Sequence, residues 1–456
     1  MRKQVSRRNF LGTLAAGALA GTPALQARPA SAMQSSPSAS NMAALLGGTP
    51  VRTTRFPSWP VADAREEEAL VNLIRSGKWF RGEKVAAFEA AYASLTGAKH
   101  CLATANGTSA LITSLAALGV GPGDEVIVPP YTFVATINAV LMMHALPVFV
   151  DTDIETFQID ARQLEQAITD RTRAIIPVHL GGNAADLDTI LTAARKRGIA
   201  VVEDACQAHL AEWRGRKVGT YGTTGCFSFQ ASKNLNAGEG GAILTDDEAL
   251  LENCYRFHNN SRGRKNTGND FSYQNTGANL RMTEFQAGLL LAQMTRLEAQ
   301  ARTRDQNAAY LTSLLKKIPG IAPARMYDGC TRNAYHLYMF RYDAKQFAGL
   351  PRAAFLKALA AEGVPAAGGY SPLNTQPFLE HALASRGFTA IYAKARLDTW
   401  RDRNRCPAND RLCSEAAWLG QTMLLGPKKD MEDIASAVRK VQAHAARIAG
   451  RVQSGQ

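Results

Sequence analysis

Short apolar runs alternate with helix-like segments through most of this chain, and this alternation limits its possible folds more than any other feature. The runs are four or five residues long and cover 125–128, 147–151, 174–178 and 200–204, with helix-like segments at 109–118, 134–144 and 185–197. Strands that are apolar almost throughout are typical of parallel sheets buried on both faces. The pattern therefore predicts an α/β fold in which helices cover both sides of a mostly parallel sheet.

Polar residues follow several of these predicted strands. Asp151 and Asp204 each end a strand-like run, and the turn Asn106-Gly107-Thr108 follows another run. In parallel sheets of this kind, ligands bind beyond the carboxyl ends of the strands. We therefore expect a binding site at this edge of the sheet.

The pattern changes after about residue 320. A β-like run covers 335–342, and helix-like segments cover 352–362 and 432–450. This predicts a large domain over residues 46–320 and a smaller α+β domain over residues 321–450, a division that suits a chain of 456 residues.

Composition excludes several classes of protein. The formal net charge is +13, which suits an anionic small molecule, although a solvated surface of mixed charge explains it more simply. The chain has no run of five or more Lys or Arg, so nucleic-acid binding is not predicted. The seven cysteines include no CxxC pair, so no metal site is predicted. We expect Cys101, Cys206 and Cys226 to be buried, while pairing between Cys406 and Cys413 stays open.

The first 32 residues resemble an export signal. Arg7-Arg8 precede a short apolar stretch, and small-residue sites that could be cleaved follow at Ala27 and Ala32. Paired arginines in this position are typical of the twin-arginine pathway. We expect residues 1–32 to be such a leader, followed by a linker over 33–45 and by no membrane-spanning segment. The alternative is a disordered basic tail on a cytoplasmic protein.

Three features of the large domain suggest chemistry, and each also has an ordinary structural explanation. The turn 106–109 opens a helix and could bind a phosphate, or it could simply cap the helix. Asp204, at the end of a buried strand, needs a cationic partner, which could be a ligand or a structural salt bridge. Lys233 lies between buried runs, where desolvation would make its amine nucleophilic, unless its head reaches solvent at a strand end.

An aromatic residue completes this set. Phe133 follows another strand end, where it could lie against a flat ring or pack in the core. The four features together supply a phosphate anchor, a partner for a protonated pyridine, a stacking ring and a reactive lysine. These are the parts of a pyridoxal 5′-phosphate (PLP) site.

The chain resembles the DegT/DnrJ/EryC1/StrS family of PLP-dependent aminotransferases, from about residue 47 to residue 446. The similar stretches are 105–111, 121–126, 131–136, 203–208, 227–233, 238–241 and 279–284. The resemblance implies a fold-type-I transferase with a seven-stranded sheet in its large PLP-binding domain. It also implies a homodimer whose active sites lie at the interface.

The resemblance also assigns roles to individual residues. Lys233 matches the lysine that bonds covalently to the cofactor, and Asp204 matches the acid that pairs with the pyridine nitrogen. Gln207 matches the polar neighbour of the phenolic oxygen, and Phe133 matches the aromatic ring stacked on the cofactor. Thr108, Ser109 and Ser228 match phosphate binders, and Asn279 matches the asparagine that reaches the partner's phosphate.

The function that follows is transfer of an amino group from glutamate or glutamine to a nucleotide-linked keto sugar or a ketocyclitol. Residues 47–52 and 228–230 are most similar to the ketocyclitol and aminohydroxybenzoate branch. An export leader departs from the family, because activated sugars are made in the cytoplasm. One alternative is a sugar dehydratase, but related dehydratases carry histidine where this chain has Lys233. Another is an exported PLP-containing sensor or binding protein.

Overall fold

The computed structural model describes residues 41–264, 273 and 275–453, and the predicted leader lies outside them. In this part of the chain the strands are β1 His100–Thr104, β2 Glu125–Val128, β3 Leu146–Phe149, β4 Thr172–Ile175, β5 Ala200–Asp204, β6 Glu212–Trp213, β7 Arg216–Lys217, β8 Thr224–Ser228, β9 Gly241–Thr245, β10 Ile321–Pro323, β11 Cys330–Arg332, β12 Leu337–Tyr342 and β13 Ala416–Gly420. Seven of them form one sheet in the order β1-β9-β8-β5-β4-β2-β3. Only β9 runs against its neighbours in this sheet, so the prediction of a mostly parallel sheet is confirmed.

The helices of the described residues are α1 Ala64–Ser76, α2 Glu83–Thr96, α3 Gly107–Ala117, α4 Ala135–Met142, α5 Leu164–Ala167, α6 Leu187–Arg197, α7 Glu248–His258, α8 Glu284–Leu315, α9 Arg352–Ala361, α10 Pro377–Leu383, α11 Arg386–Ile391, α12 Lys394–Asp398, α13 Trp400–Arg403, α14 Pro407–Glu415, α15 Lys428–Ala443 and α16 Ala445–Gln453. None of them is long and apolar enough to cross a membrane. The prediction of a single helix over 432–450 is wrong in detail, because the helix is interrupted at His444, between α15 and α16.

The large sheet is buried on both faces. Along β1, Leu102 packs into a core that contains residues of α3, α4 and α7, whereas Cys101 and Ala103 pack into a core with residues of α2 and α8. This alternation follows from the two-residue period of a strand, which directs successive side chains to opposite faces. Both faces can therefore be apolar, as the sequence predicts.

The C-terminal part forms a second sheet in the order β10-β12-β13, and all of its pairs are antiparallel. Its core also includes the C-terminal end of α8 and residues of α9, α15 and α16. The division into two domains at residue 320 stays a prediction.

The segment at the start of the described residues packs against this C-terminal core. Ala43 is 1% exposed there, although the sequence pattern assigns it to the linker 33–45. The buried carboxylate of Glu362 accepts hydrogen bonds from the backbone of Ala44 (2.7 Å) and Val51 (3.0 Å). The buried side chain of Arg52 contacts Asp430 at 2.5 Å. Residues 43–52 are thus held by elements more than 300 positions later in the chain.

The cysteines are free thiols, and Cys206 differs from the expectation because it is only partly buried. Cys406 and Cys413 are both buried and unpaired. No group of three or more His, Cys, Asp or Glu side chains within the described ranges could hold a metal ion.

Candidate active site

A cavity of about 580 Å³ opens where the strands of the large sheet end. Most of its lining comes from the turns after β1, β2, β5 and β8, and part comes from the C-terminal sheet and the segment between α9 and α10. The lining residues are Asn106, Gly107, Thr108, Leu111, Thr132, Phe133, Ala135, Thr136, Val178, Asp204, Cys206, Gln207, Ser228, Gln230, Ser232, Lys233, Glu239, His336, Leu337, Tyr370 and Trp418.

Six of the eight residues expected at the site line this cavity. They are Thr108, Phe133, Asp204, Gln207, Ser228 and Lys233. Ser109 is buried behind the lining, and its amide donates to the side chain of Asn106. Asn279 is exposed and lies outside the lining. The structure therefore brings six of the seven residues expected from one subunit into a single cavity.

The N-terminus of α3 forms one end of the cavity. Asn106 caps the helix by accepting a hydrogen bond from the amide of Ser109 (2.8 Å). The amides of Gly107 and Thr108 have no acceptor among the described residues, so they remain free for an anion. A Cβ at Gly107 would lie 2.7 Å from the Cβ of Ser228 and 2.8 Å from the sulfur of Cys206. Only glycine leaves room here, and the close approach of backbone suits a phosphate group.

Asp204 is buried at the end of β5, and neighbouring donors fix its carboxylate. Its Oδ2 accepts a hydrogen bond from the hydroxyl of Thr136 (2.8 Å), and its Oδ1 accepts one from the amide of Cys206 (3.2 Å). The hydroxyl of Thr136 lies 3.0 Å from that of Thr132. No lysine, arginine or histidine of the described part forms an ion pair with Asp204. A buried carboxylate without a protein cation suits a cationic group on a ligand.

Lys233 lies in the turn after β8. Burial lowers the pKa of its ammonium group, although the nearby Cys206 and Asp204 act in the opposite direction. The ammonium nitrogen makes no hydrogen bond with the described residues, and Lys233 as a whole is partly buried. The backbone beside it is fixed, because the amide of Lys233 donates to the carbonyl of Gln230 (2.8 Å). The next residue, Asn234, is buried and donates to the carbonyl of Ala334 (2.7 Å). A partly desolvated amine on a fixed turn is suited to act as a nucleophile.

Gln207 connects the large sheet to the C-terminal part. Its Oε1 accepts a hydrogen bond from the amide of Gly181 (2.8 Å), and its Nε2 donates to the hydroxyl of Tyr370 (3.1 Å). The ring of Tyr370 meets that of Trp418 edge to face at 4.9 Å. Phe133 lies at the rim and is 57% exposed. The cavity thus has aromatic groups on two sides, where they could contact a flat or cyclic ligand.

His209 supports the site from behind the cavity lining, a role that the sequence did not suggest. Its Nε2–H donates to the carbonyl of Ser228 (2.9 Å), and its Nδ1 accepts from the hydroxyl of Tyr92 (3.0 Å). The ring stacks on Phe229 at 5.4 Å. Burial lowers the pKa of His209 to about 3, so the ring is neutral near neutral pH.

A second cavity, of about 590 Å³, lies among the short helices α10–α13. Lys394 and Asp398 at its edge form an exposed ion pair within one helical turn, an arrangement typical of a solvated surface. The charged residues that line this second cavity are all exposed, whereas the first cavity contains a buried acid and a lysine with a lowered pKa, so the chemistry belongs to the first cavity.

Comparison with known proteins agrees with this geometry. The model of the DegT/DnrJ/EryC1/StrS aminotransferase family matches residues 60–439. The chain belongs to this family. A putative L-glutamine:3-amino-2,3-dideoxy-scyllo-inosose aminotransferase of Streptoalloteichus tenebrarius is 38% identical over 413 residues, which cover 88% of this chain and 97% of that relative. The 3-amino-5-hydroxybenzoate synthase of Amycolatopsis mediterranei is 34% identical, with 86% and 99% of the two chains covered.

Solved structures show the same relationship. The crystal structure of 3-amino-5-hydroxybenzoic acid synthase superimposes with a TM-score of 0.77 at 33% identity, over 86% of this chain and 100% of that chain. The chain is therefore a PLP-dependent aminotransferase of the DegT/DnrJ/EryC1/StrS family with the fold-type-I architecture.

The residues of the cavity fit PLP. The free amides at the start of α3 and the hydroxyl of Ser228 are suited to its phosphate. The carboxylate of Asp204 forms no ion pair with the described residues and is suited to the protonated pyridine nitrogen. PLP also needs a lysine for its covalent bond, and Lys233 is the one lysine among the described residues of the lining. The matched residue types and the geometry agree, but each residue's individual role stays a prediction.

Proposed function

We propose that this aminotransferase moves an amino group from glutamine or glutamate to an uncharged ketocyclitol. The names of relatives in the family support both the amino donor and the acceptor of this proposal. One relative from Streptoalloteichus tenebrarius, 37% identical over 421 residues, is an L-glutamine:2-deoxy-scyllo-inosose aminotransferase. The alternative acceptor is a nucleotide-linked keto sugar.

The charge of the cavity is the observation that favours the ketocyclitol. Lys233 is the only lysine or arginine among the described lining residues, whereas Asp204 and Glu239 are acidic. A nucleotide-linked sugar has a diphosphate group, which proteins usually bind with arginine or lysine. A cyclitol presents hydroxyl groups, which suit Gln230, Ser232 and Glu239 as hydrogen-bonding partners.

The protein's own groups divide the work of the reaction. When bound, PLP accepts the electron pair released at the carbon that bears the amine. Asp204, held by Thr136, would keep a proton on the pyridine nitrogen, because an adjacent anion favours the charged form. Lys233 would bind the cofactor and then move the proton at the substrate carbon, since its lowered pKa leaves more of the amine neutral. Phe133 would lie against the ring of the cofactor, and Tyr370 and Trp418 would orient the ring of the acceptor and exclude water.

Single-turnover mass spectrometry tests the acceptor. The enzyme in its pyridoxamine form is mixed separately with 2-deoxy-scyllo-inosose and with a nucleotide-linked keto sugar. We expect the amine product only from the cyclitol, and none from the Lys233→Ala variant. Faster conversion of the nucleotide-linked sugar would overturn the choice of acceptor while leaving the aminotransferase activity intact.

We also propose a homodimer in which Asn279 contributes to the partner's cavity. Two large exposed aromatic side chains, Trp79 and Phe80, lie beside the segment of Asn279, and the guanidinium of Arg281 lies 5.0 Å from the ring of Phe80. Exposed apolar groups of this size are typical of interfaces. Sedimentation equilibrium should give twice the mass of the chain, and a monomer at assay concentrations would contradict the proposal.

The third proposal concerns location. The leader with Arg7-Arg8 is supported by its sequence alone, because it lies outside the described residues. We infer export of the folded, PLP-loaded protein, since PLP is made inside the cell and an unfolded chain would be separated from it. The variant with Arg7→Lys and Arg8→Lys should keep full-length holoenzyme in the cytoplasm. Wild-type protein that stays in the cytoplasm with its leader intact would instead favour ordinary cytoplasmic synthesis of an aminocyclitol.

A further inference from the structure

A positively charged side chain with no acidic partner lies inside the protein beneath the turn of Lys233. Arg304, in the middle of α8, is 0% exposed. Its Nη2 donates to the side-chain oxygen of Gln421, but its Nε and Nη1 donate to none of the described residues. Burial of a guanidinium with two unsatisfied donor nitrogens is costly, because each loses its hydrogen bonds to water. An acceptor for these groups is therefore required on physical grounds.

No carboxylate of the described chain supplies that acceptor. None of the ion pairs of the described residues includes Arg304, and its neighbour on the helix, Asp305, interacts instead with Arg332 and Glu212. Burial alone lowers the pKa of Arg304 to about 9. The positive charge of Arg304 also disfavours protonation of two buried histidines, His209 and His336. The field of this charge thus reaches the cavity of Lys233.

A second unsatisfied donor lies next to the guanidinium. The indole N–H of Trp59 is buried and donates to none of the described residues. The guanidinium carbon of Arg304 lies 5.3 Å from the centre of the indole ring. Contact with the ring offsets only part of the cost of the buried charge, and it satisfies none of the N–H groups.

We propose that Arg304 and Trp59 form a binding site for a single halide-sized anion, with chloride as its physiological occupant. The three atoms that lack acceptors carry N–H groups, and two of them belong to a buried cation, so an anion would accept from them and also neutralise the buried charge. The donors come from only two side chains and cannot satisfy the four oxygens of a phosphate or sulfate. A monatomic anion accepts from several N–H groups at once and needs little space. The site does not depend on the proposed acceptor of the aminotransferase.

The bound anion also acts on the catalytic turn. Gln421 accepts from Arg304 and, through its Nε2, donates to the carbonyl of Ser232 at 3.4 Å. Ser232 directly precedes Lys233. An anion that fixes the guanidinium therefore fixes Gln421 and the peptide beside the lysine, and it neutralises the charge beneath the cavity.

Thermal unfolding of the holoenzyme tests the site. Sodium gluconate is replaced stepwise by sodium chloride at constant ionic strength, so that general screening does not change. We expect the wild-type Tm to rise and then saturate, because an anion that binds only the folded state stabilises it. The rise should be lost in Arg304→Met and kept in Arg302→Met, a matched change of the exposed arginine two residues earlier on α8.

Trp59→Phe keeps the ring and removes only the N–H, so it tests the site even if Arg304→Met fails to fold. Loss of one charge-assisted hydrogen bond of about 1.5 kcal/mol or more weakens chloride binding roughly tenfold or more. Crystals grown in sodium bromide should show one anomalous peak between Arg304 and Trp59. A Tm that does not respond to chloride, or a water molecule in that position in the bromide crystals, would overturn the proposal.

Discussion

Replacement of Gly107 by alanine should weaken cofactor binding without unfolding the protein. The new methyl group would lie 2.7 Å from the Cβ of Ser228 and 2.8 Å from the sulfur of Cys206. Ordinary contacts between such atoms are about 3.5–4.0 Å, so the neighbours must move by about 1 Å. Ser228 is buried at the end of β8, and its Cβ is fixed to the backbone, so it cannot rotate away.

Overpacking of this kind costs about 1–3 kcal/mol. The start of α3 is the part most free to yield, and its displacement moves the amides of Gly107 and Thr108 away from the phosphate. If the whole cost falls on cofactor binding, the Kd for PLP rises between about fivefold and 150-fold. The backbone of Gly107 is not in the left-handed region, so strain in the main chain adds nothing.

Titration of the apo-protein with PLP, followed by fluorescence quenching, measures this change. Gly121→Ala is the matched control, because its methyl group would meet nothing within 4 Å. Thermal unfolding of both apo-variants separates a loss of affinity from a loss of folding. An unchanged Kd in a folded Gly107→Ala protein would refute the inference that the phosphate binds at this turn.

Three other predictions concern the acid, a histidine and the interface. Asp204→Asn should bind PLP but lose about 100-fold or more of the single-turnover rate, as is typical when a group that controls a proton is removed; an unchanged rate would leave Asp204 a structural role only. The pKa of His209 is about 3 in the folded state and about 6.5 when unfolded, so the unfolded state binds more protons between these values. The free energy of unfolding should therefore fall as pH decreases from about 6.5, by about 1.4 kcal/mol per pH unit for this one group. Urea unfolding of His209→Gln at pH 5 and 6.5 should show a smaller fall, and an identical fall would contradict the assignment. Mixed subunits of Lys233→Ala and Asn279→Ala should recover part of the activity, because one site of each heterodimer is intact; heterodimers that form without activity would exclude the cross-subunit role of Asn279.

The sequence alone predicts that a residue lies at the cavity where its position depends only on the strand that it ends or follows. Asp204 directly ends an apolar run, and Lys233 follows another, so the predicted edge of the sheet brings both into one cavity. The α/β fold, the family and the aminotransferase activity were all predicted and are confirmed. Local patterns are reliable here because the carboxyl ends of parallel strands meet at a common edge.

Other parts of the site depend on contacts between distant segments. Thr136 lies in α4 and orients Asp204 from 68 positions away, and nothing in its neighbourhood distinguishes it from a core threonine. Tyr370 and Trp418 reach the cavity from the C-terminal part of the chain. The spacing of apolar residues along the sequence does not predict how that part is oriented towards the cavity. The antiparallel direction of β9 could not be predicted either, because the composition of an apolar run does not indicate the direction of the strand in the sheet. The side chain of Asn279 is exposed, and its proposed role in the cavity of a partner depends on a second chain and not on its own segment.

The contacts of residues 43–52 have a consequence for the order in which the protein folds on the ribosome. Glu362, Asp430 and Asp433 hold this segment, and they are made hundreds of residues after it. The segment emerges among the first parts of the body, but Glu362 leaves the exit tunnel only about 300 residues later, and the ion pairs of Arg52 must wait until α15 has followed. Its buried positions, such as Ala43, must therefore stay uncovered during most of translation. The full set of contacts can form only after synthesis is nearly complete, so a nascent chain that stalls before residue 430 leaves the buried guanidinium of Arg52 without its acidic partners.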